Sequence, residues 1–231
     1  MKNSIIIFRK QMKDTGKNIA LLIQFIMFPL MAVIMENAIQ LEDMPEHFFV
    51  GMFAVMHIGM APLNVTTAII SEEKEKNTLR MLLFTNIKPT EYLIGICGYV
   101  FGACMVGTVV FGILSGHRGK EFVIFLLIMA AGIIVSMLLG AVIGIWSKSQ
   151  IAATTISTPV MMVFAFLPML AMFNSTIARV ADIAYSQHIQ ILLNSVGAGT
   201  TPEPKNLIVI VVSMAIAVGG FIFAYRKCGL A

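Results

Sequence analysis

Charged residues are scarce in this sequence: Asp, Glu, Lys and Arg make up 12% of 231 residues, against about a quarter in a soluble globular domain. Hydrophobic residues make up 58%, and the mean hydropathy is +0.89. We therefore interpret the chain as an integral membrane protein. Its net charge is only +4, and its basic residues form no stripe with interleaved aromatics, so nucleic acid is not an expected partner.

Cysteine is also scarce, with three residues in the chain, Cys97, Cys104 and Cys228. Cys97 and Cys104 lie about two helical turns apart within one apolar run, too far for a disulfide. No CxxC or metal-ligand spacing occurs, so we expect free thiols and no metal site. The chain also lacks a GxxxxGK(S/T) phosphate-binding motif. Any ATP that this protein uses must therefore be bound by another polypeptide, and no cofactor is expected on this chain.

Long apolar runs are what the sequence has in abundance. A membrane-spanning helix needs roughly 20 mostly apolar residues, and an all-α membrane domain with six such spans is predicted over residues 19–231. The first run has no cleavage site after it and is longer than a signal-peptide core, which indicates an uncleaved span. The six predicted spans are about 19–40, 48–70, 91–114, 121–145, 151–173 and 207–225.

Lys and Arg are unequally divided between alternate connections. One set of connections holds twelve of the sixteen basic residues and the other set holds four. Because basic residues concentrate on the cytoplasmic side, both termini are predicted to be cytoplasmic, in the plasma membrane of a bacterial cell. The richer set comprises residues 1–18, 71–90, Lys148 and 226–227.

Two segments are amphipathic without being long enough to span. Near the N-terminus, Ile5, Phe8 and Met12 share one helical face and Arg9 lies on another, which predicts an interfacial elbow helix within residues 1–18. Residues 174–206 repeat apolar residues over two short stretches. We predict two short helices there, in the outer leaflet, between the fifth and sixth spans.

The charged stretch SEEKEKNTLRMLL, residues 71–83, separates two apolar runs. Leu79, Leu82 and Leu83 follow its charges with i, i+3, i+4 spacing and form an apolar face that a solvated loop would not need. An ordinary charged loop that fixes the topology is the alternative. We predict a short amphipathic helix between spans two and three that presents charges and leucines to a soluble partner.

At this stretch the sequence resembles the type-2 permeases of ATP-binding-cassette (ABC) transporters, which export drugs, polysaccharides, lipids and peptides. Asn77 stands where these permeases usually have Gly, a replacement that Asn allows because it also reaches left-handed backbone conformations. Asn86 replaces a usual Pro. The six spans, the elbow and the outer segment extend the resemblance over essentially the whole chain. The matching residues are Glu72-Glu73-Lys74-Glu75-Lys76-Asn77-Thr78-Leu79, Leu82-Leu83 and Thr85-Asn86.

The resemblance implies that the charged stretch is a coupling helix that docks on a cytoplasmic ABC ATPase subunit. It also implies a half-size export permease without catalytic residues of its own. This permease would work as a dimer, with an identical copy or a paralogue, and with two ATPase subunits that bind ATP and Mg. The implied ATPase contacts are made by the acidic residues Glu72, Glu73 and Glu75 and by the anchoring residues Thr78, Leu79, Leu82 and Leu83.

Polar residues within the predicted spans are candidates for the cargo path, because the second and fifth spans line that path in the resembling family. Each has a structural alternative, since small polar residues also hold membrane helices together and a histidine can bond to a neighbouring helix. Glu36, near the end of the first span, is a further ionisable residue. The candidate path residues are Asn64, Thr67, Thr154, Thr158 and, at mid-depth, His57.

The chain contains 18 Met and 16 Phe, which suit an adaptable apolar interior. Together with short outer loops, this favours a hydrophobic or amphipathic cargo, such as a peptide. Two alternatives stay open: a proton-coupled secondary transporter that uses Glu36 and His57, and a non-transporting membrane immunity or anchor protein. A membrane protease with an EExxxR motif is disfavoured, because Asn77 occupies the position that requires Arg.

Overall fold

The computed structural model describes residues 2–39, 46–77, 89–200 and 203–227, which contain helices and no strands. This confirms the predicted all-α class. The helices, in chain order, are α1 (Lys2–Thr15), α2 (Ile19–Ala38), α3 (Phe48–Glu75), α4 (Pro89–Leu114), α5 (Lys120–Trp146), α6 (Gln150–Phe173), α7 (Ser175–Ala181), α8 (Tyr185–Gly197) and α9 (Pro204–Lys227).

Among the described residues, six helices are long and apolar enough to cross a membrane: α2, α3, α4, α5, α6 and α9. Their ends lie within a few residues of the predicted spans, with one informative difference at α3. The apolar run ends at residue 70, but the helix continues through the charged residues to Glu75 and is 28 residues long. The charges at 71–75 therefore belong to the last turns of the second span, not to a separate segment.

Helix α3 lies at the centre of the bundle, in contact with α2, α4, α5, α6 and α8. In its most apolar stretch 61% of the residues are buried within the chain, against 22% in α6 and 17% in α9. Ile58, Leu63 and Ile70 on α3 are fully buried. The core of the protein therefore surrounds α3, while α6 and α9 have wide exposed faces.

A stripe of small residues on α5 packs against α3. Gly132, Ser136, Gly140 and Gly144 repeat every four residues and share one face of the helix. A Cβ atom placed on Gly140 would lie 2.3 Å from the carbonyl oxygen of Leu63, so the two backbones touch. Small residues at this spacing are typical of closely packed membrane helices. This spacing is visible in the sequence itself, although charges and apolar runs do not reveal it.

The bundle has two ends, which we name by their short helices. At the α1 end, α1 packs against α4. The ends of α9 and α5 also meet there, where Lys227 Nζ lies 5.1 Å from the centre of the Trp146 ring. At the α8 end, α7 and α8 lie between the fifth and sixth spanning helices. These are the two short helices that the sequence predicts for residues 174–206.

Helix α1 packs on the bundle through a face that the amphipathic pattern does not indicate. Ile7, Gln11 and Thr15 are buried. A Cβ atom on Gly95 of α4 would lie 2.7 Å from that of Ile7, so the glycine permits this close contact. The side chains of Ile5 and Met12 are each 55% exposed. They lie on the outward surface of α1, where an interfacial helix would meet the bilayer.

Candidate functional site

Glu73 lies at the centre of a polar cluster at the α1 end. The residue is only 7% exposed, yet both carboxylate oxygens have partners on other helices. Oε1 accepts hydrogen bonds from Lys10 Nζ at 2.5 Å and Gln11 Nε2 at 2.7 Å, both on α1. Oε2 accepts one from the Tyr92 hydroxyl on α4, also at 2.5 Å. Charge-assisted bonds of this kind offset the cost of burying a carboxylate, so Glu73 connects α1, α3 and α4.

The next two residues connect α3 to α5 and α6. Lys74 Nζ donates to the Ser147 carbonyl at 2.9 Å and also to the Ile145 carbonyl, at the helix terminus where backbone carbonyls lack intrahelical partners. Glu75 Oε2 accepts a hydrogen bond from the backbone N–H of Gln150, the first residue of α6, at 2.7 Å. A cation at a helix C-terminus and an anion at an N-terminus both interact favourably with the helix dipole. Glu73, Lys74 and Glu75, which we call the α3 junction, thus bind four other helices.

Helix α3 ends just after this junction. Glu72 and Lys76 form an i, i+4 ion pair on its surface, and the hydrogen bond that the Lys76 ammonium donates to the Glu72 carboxylate raises the pKa of Lys76. Asn77 follows with a φ of 56°, which lies in the left-handed region. This confirms the expectation that Asn replaces Gly here because it adopts a left-handed conformation.

The three acidic residues predicted to contact an ATPase differ in their surroundings. The Glu72 side chain is 33% exposed and Glu75 is exposed, whereas the bonds of Glu73 are all internal. Glu73 therefore has a positioning role within the chain, and Glu72 and Glu75 are the acids accessible to a partner. The anchoring residues Thr78, Leu79, Leu82 and Leu83 lie outside the described residues, and their role stays a prediction.

Three candidate path residues lie on α3, and two of them, Asn64 and Thr67, contact α2, α5 and α6. Asn64 Nδ2 donates to Gln24 Oε1 on α2 at 3.1 Å, and Asn64 Oδ1 accepts from Ser157 on α6 at 3.3 Å. The Thr67 hydroxyl oxygen lies 2.8 Å from the carbonyl oxygen of Leu63 and 3.0 Å from that of Gly140. Thr67 is 1% exposed, so it belongs to the α3–α5 contact. Asn64 is half-buried where α2, α3 and α6 meet.

The other two candidate threonines lie on α6. The Thr154 hydroxyl donates to the Gln150 carbonyl at 2.9 Å, and the Thr158 hydroxyl donates to the Thr154 carbonyl at 2.8 Å. Bonds to the preceding turn of the same helix satisfy a hydroxyl without a partner from another helix. Thr154 is exposed and Thr158 half-buried, so both are available to a second protein chain or to cargo.

His57 is fully buried within the chain. Its Nε2 lies 3.3 Å from the Cys104 carbonyl oxygen, and its ring centre lies 5.6 Å from that of Phe111. Glu36 lies elsewhere: its Oε1 is 2.9 Å from Nδ1 of His47, one residue before α3 begins. Ten residues of helix, or about 15 Å, separate His47 from His57. The structure therefore does not bring together the Glu36 and His57 pair that a proton-coupled transporter would use.

The side chains of the α3 junction hold helices together. In the described parts of the chain, no group of three or more His, Cys, Asp or Glu side chains is placed to hold a metal ion. The charged side chains of the junction instead bond to side chains and backbone groups of neighbouring helices. Such a polar network, when each member has a partner, fixes the relative positions of the elements that it joins.

Six spanning helices, with α3 at the centre and this junction at one end, define a multi-pass helical membrane protein. The family model of the ABC-2 type transporter matches residues 2–185, from α1 to the first residue of α8. The chain belongs to the ABC-2 type transporter family, whose members are permease subunits that work with an ABC ATPase subunit. No curated protein matches the sequence. The matched region contains the α3 junction and the stretch predicted to be the coupling helix.

Proposed function

We propose that this permease subunit exports a hydrophobic or amphipathic cargo, such as a peptide, with energy from ATP hydrolysed by a separate cytoplasmic subunit. The observation that carries the proposal is the α3 junction. It lies within the predicted coupling stretch, immediately before residues 78–83, and bonds to four other helices. A force applied to that stretch would therefore reach most of the bundle.

The junction suggests a route for this force. A partner that moves residues 78–83 would first move the end of α3. Glu73 would pass the movement to α1 and α4, Lys74 to α5, and Glu75 to α6. Because the joined helix ends move together, ATP-driven closure of two ATPase subunits would rock the spans as rigid bodies between inward-open and outward-open states.

In the proposed docking contact, leucines and acids have different roles. Leu79, Leu82 and Leu83 would fill an apolar groove on the ATPase and supply most of the affinity. Glu72 and Glu75 would meet basic groups and set the register and the association rate. Glu73 is kept out of this contact by its internal bonds.

The excess of Lys and Arg in connections that meet at the α1 end supports a cytoplasmic position for this end and for both termini. An ATPase that binds cytoplasmic ATP and Mg would find its docking stretch there. The same orientation places the α8 end on the outer face of the membrane.

We further propose that a second permease, identical or a paralogue, packs beside the exposed side of α6. Only 22% of the apolar stretch of α6 is buried within one chain, yet this helix carries Thr154 and Thr158, which a purely lipid-facing surface does not need. Cargo would pass along these threonines and Asn64, between two permeases bound to two ATPases. Thr67 and His57 are omitted from this path because both are enclosed within the chain.

Copurification from the native host in mild detergent tests the proposed docking. We expect a soluble ABC ATPase at a 1:1 ratio to the permease, and its loss when Leu79, Leu82 and Leu83 are all changed to Ser. The matched control changes Val180 and Ile183 to Ser, because both are exposed apolar residues at the α8 end. An ATPase that stays bound to the leucine variant would contradict the docking site.

A further inference from the structure

A cleft of about 690 Å³ opens at the α8 end, away from the proposed cargo path. Its walls come from the start of α3, the turn between α4 and α5, the end of α6, and α8. Clefts of roughly 300–1,000 Å³ are typical of small-molecule sites. We call it the α8 cleft.

The charged lining of the α8 cleft is acidic when its histidines are neutral. The carboxylates of Glu46 and Glu121 and the imidazoles of His47 and His117 line it. Burial lowers the pKa of His117, which favours the neutral imidazole at pH 7. The Nδ1 atom of His117 lies 3.9 Å from Glu121 Oε2. Two negative charges therefore face this space, in a chain whose net charge is positive.

The remaining lining combines apolar rings with amide groups. His117 packs on Phe125 with ring centres 5.4 Å apart. Gln190 Nε2 donates to Asn194 Oδ1 at 3.0 Å, which fixes both amides on the α8 wall. An apolar surface beside a few convergent polar groups is the usual composition of a ligand site. The apolar lining residues are Phe48, Met52, Phe125, Met172 and Leu193.

We propose that the α8 cleft binds an amphiphile that carries a primary ammonium or guanidinium group on an apolar body. The cation would lie between Glu46 and Glu121, and the apolar body would lie against the phenylalanine and methionine side chains. Glu46 is exposed and the Glu121 side chain is 61% exposed, so both carboxylates can meet a cation directly, and the apolar wall beside them adds a favourable contact that isolated surface acids lack. This inference concerns binding at the α8 end and does not depend on the transport proposal.

The full-length chain in phosphatidylcholine nanodiscs provides the test, with dansylcadaverine as the fluorescent probe. Its primary ammonium lies on an apolar dansyl body, and binding to empty nanodiscs is subtracted. We expect saturable binding that weakens about tenfold or more when Glu46→Gln and Glu121→Gln are combined. Glu203→Gln is the matched control, because it removes an acid from the same end of the bundle without touching the cleft. N-acetylated dansylcadaverine, which lacks the cation, should not bind saturably.

The pH dependence gives a second readout on the unmodified protein. The titratable groups that face the cleft are Glu46, His47, His117 and Glu121, with Glu36 bonded to His47. Burial lowers the pKa of His117, so this imidazole gains its proton, and adds positive charge beside the acids, only as the pH falls below the ordinary histidine range. Probe affinity should therefore fall at the lower pH, and by less when His47→Gln and His117→Gln are combined.

Nanodiscs that also contain phosphatidylethanolamine show whether the bound ammonium group belongs to a lipid headgroup or to a soluble amphiphile. Competition with the probe would assign the site to a lipid ammonium headgroup, and undiminished binding would assign it to a soluble amphiphile. Equal affinity of the wild-type chain and the Glu46/Glu121 variant would overturn the proposal. If that variant does not fold, saturable binding of the acetylated probe to the wild-type chain would also overturn it.

Discussion

The α3 junction at the α1 end and the α8 cleft at the other end use charged side chains in opposite ways. At the α1 end, Glu73, Lys74 and Glu75 all bond to groups on neighbouring helices. At the α8 end, Glu46 and Glu121 line an open cleft beside two histidines. A satisfied internal network fixes the helices that the junction joins, whereas the cleft leaves its charges accessible to a ligand. The number of charged residues in a segment therefore does not reveal whether those residues stabilise the fold or recognise a partner.

The largest expected effect is at Glu73. We expect Glu73→Gln to lower the free energy of unfolding by about 3 kcal/mol, because it weakens three hydrogen bonds to a buried carboxylate. The control is Glu121→Gln in the open cleft, which should change it by less than about 0.5 kcal/mol. Equilibrium unfolding in mixed micelles measures both. Similar losses of unfolding free energy for the two variants would show that Glu73 and Glu121 do not differ in their contribution to stability.

A second prediction concerns the packing between the two ends. Gly140→Ala places a methyl group against the Leu63 carbonyl and should cost about 2 kcal/mol of unfolding free energy, because neither backbone can move away easily. Gly219→Ala on α9 is the matched control, since a Cβ atom there meets nothing within 4 Å. Thermal unfolding of both variants in detergent measures the difference. An unchanged melting temperature for Gly140→Ala would show that α3 and α5 separate more readily than their contact indicates.

A smaller effect is expected where the α3 junction meets α6. Glu75→Gln removes the negative charge at the α6 N-terminus and should cost about 0.5–1 kcal/mol. Since Glu75 is also proposed to meet the ATPase, the isolated permease is the sample to use. Glu203→Gln, an exposed acid at the other end, should leave its unfolding free energy unchanged. Equal values for the two variants would indicate that the bond to Gln150 adds nothing to stability.

The smallest predicted effect is the pH response of His117. Burial lowers its pKa in the folded chain, so the unfolded chain binds the proton more readily. The associated stability is therefore present above the ordinary histidine pKa near 6.5 and is lost as the pH falls below it. The melting temperature of the wild-type chain should fall between pH 7.5 and 5.5, and that of His117→Gln should fall less. Equal decreases would assign the pH response to other groups.

Much of the fold could be predicted because the membrane imposes it. A spanning helix must satisfy its backbone hydrogen bonds internally and present about 20 apolar residues, so the six spans are visible as runs in the sequence. The left-handed conformation of Asn77 could likewise be predicted from the residue type alone, since few residue types adopt a positive φ. The continuation of α3 to Glu75 could not be predicted locally, because the groups that hold those charged residues lie on α1, α4, α5 and α6.

The candidate site was predictable in position and not in detail. The sequence located the charged stretch, but Glu72, Glu73 and Glu75 look equivalent in it. The packing of α1 on α4, which Gly95 permits, buries Glu73 and leaves the other two accessible. Thr67 and Thr154 are likewise both small polar residues in apolar runs, and only the central place of α3 and the peripheral place of α6 distinguish them.

The sequence by itself thus determined the membrane class, the number and approximate ends of the spans, and the position of the charged stretch. These properties depend on local composition and on the thickness of a bilayer, which are the same wherever a segment lies in the bundle. The tertiary structure alone decided which charges are internal, which polar residues are enclosed, and where acids line an open cleft. Burial and hydrogen bonding depend on which helices meet, and these contacts join residues far apart in the chain.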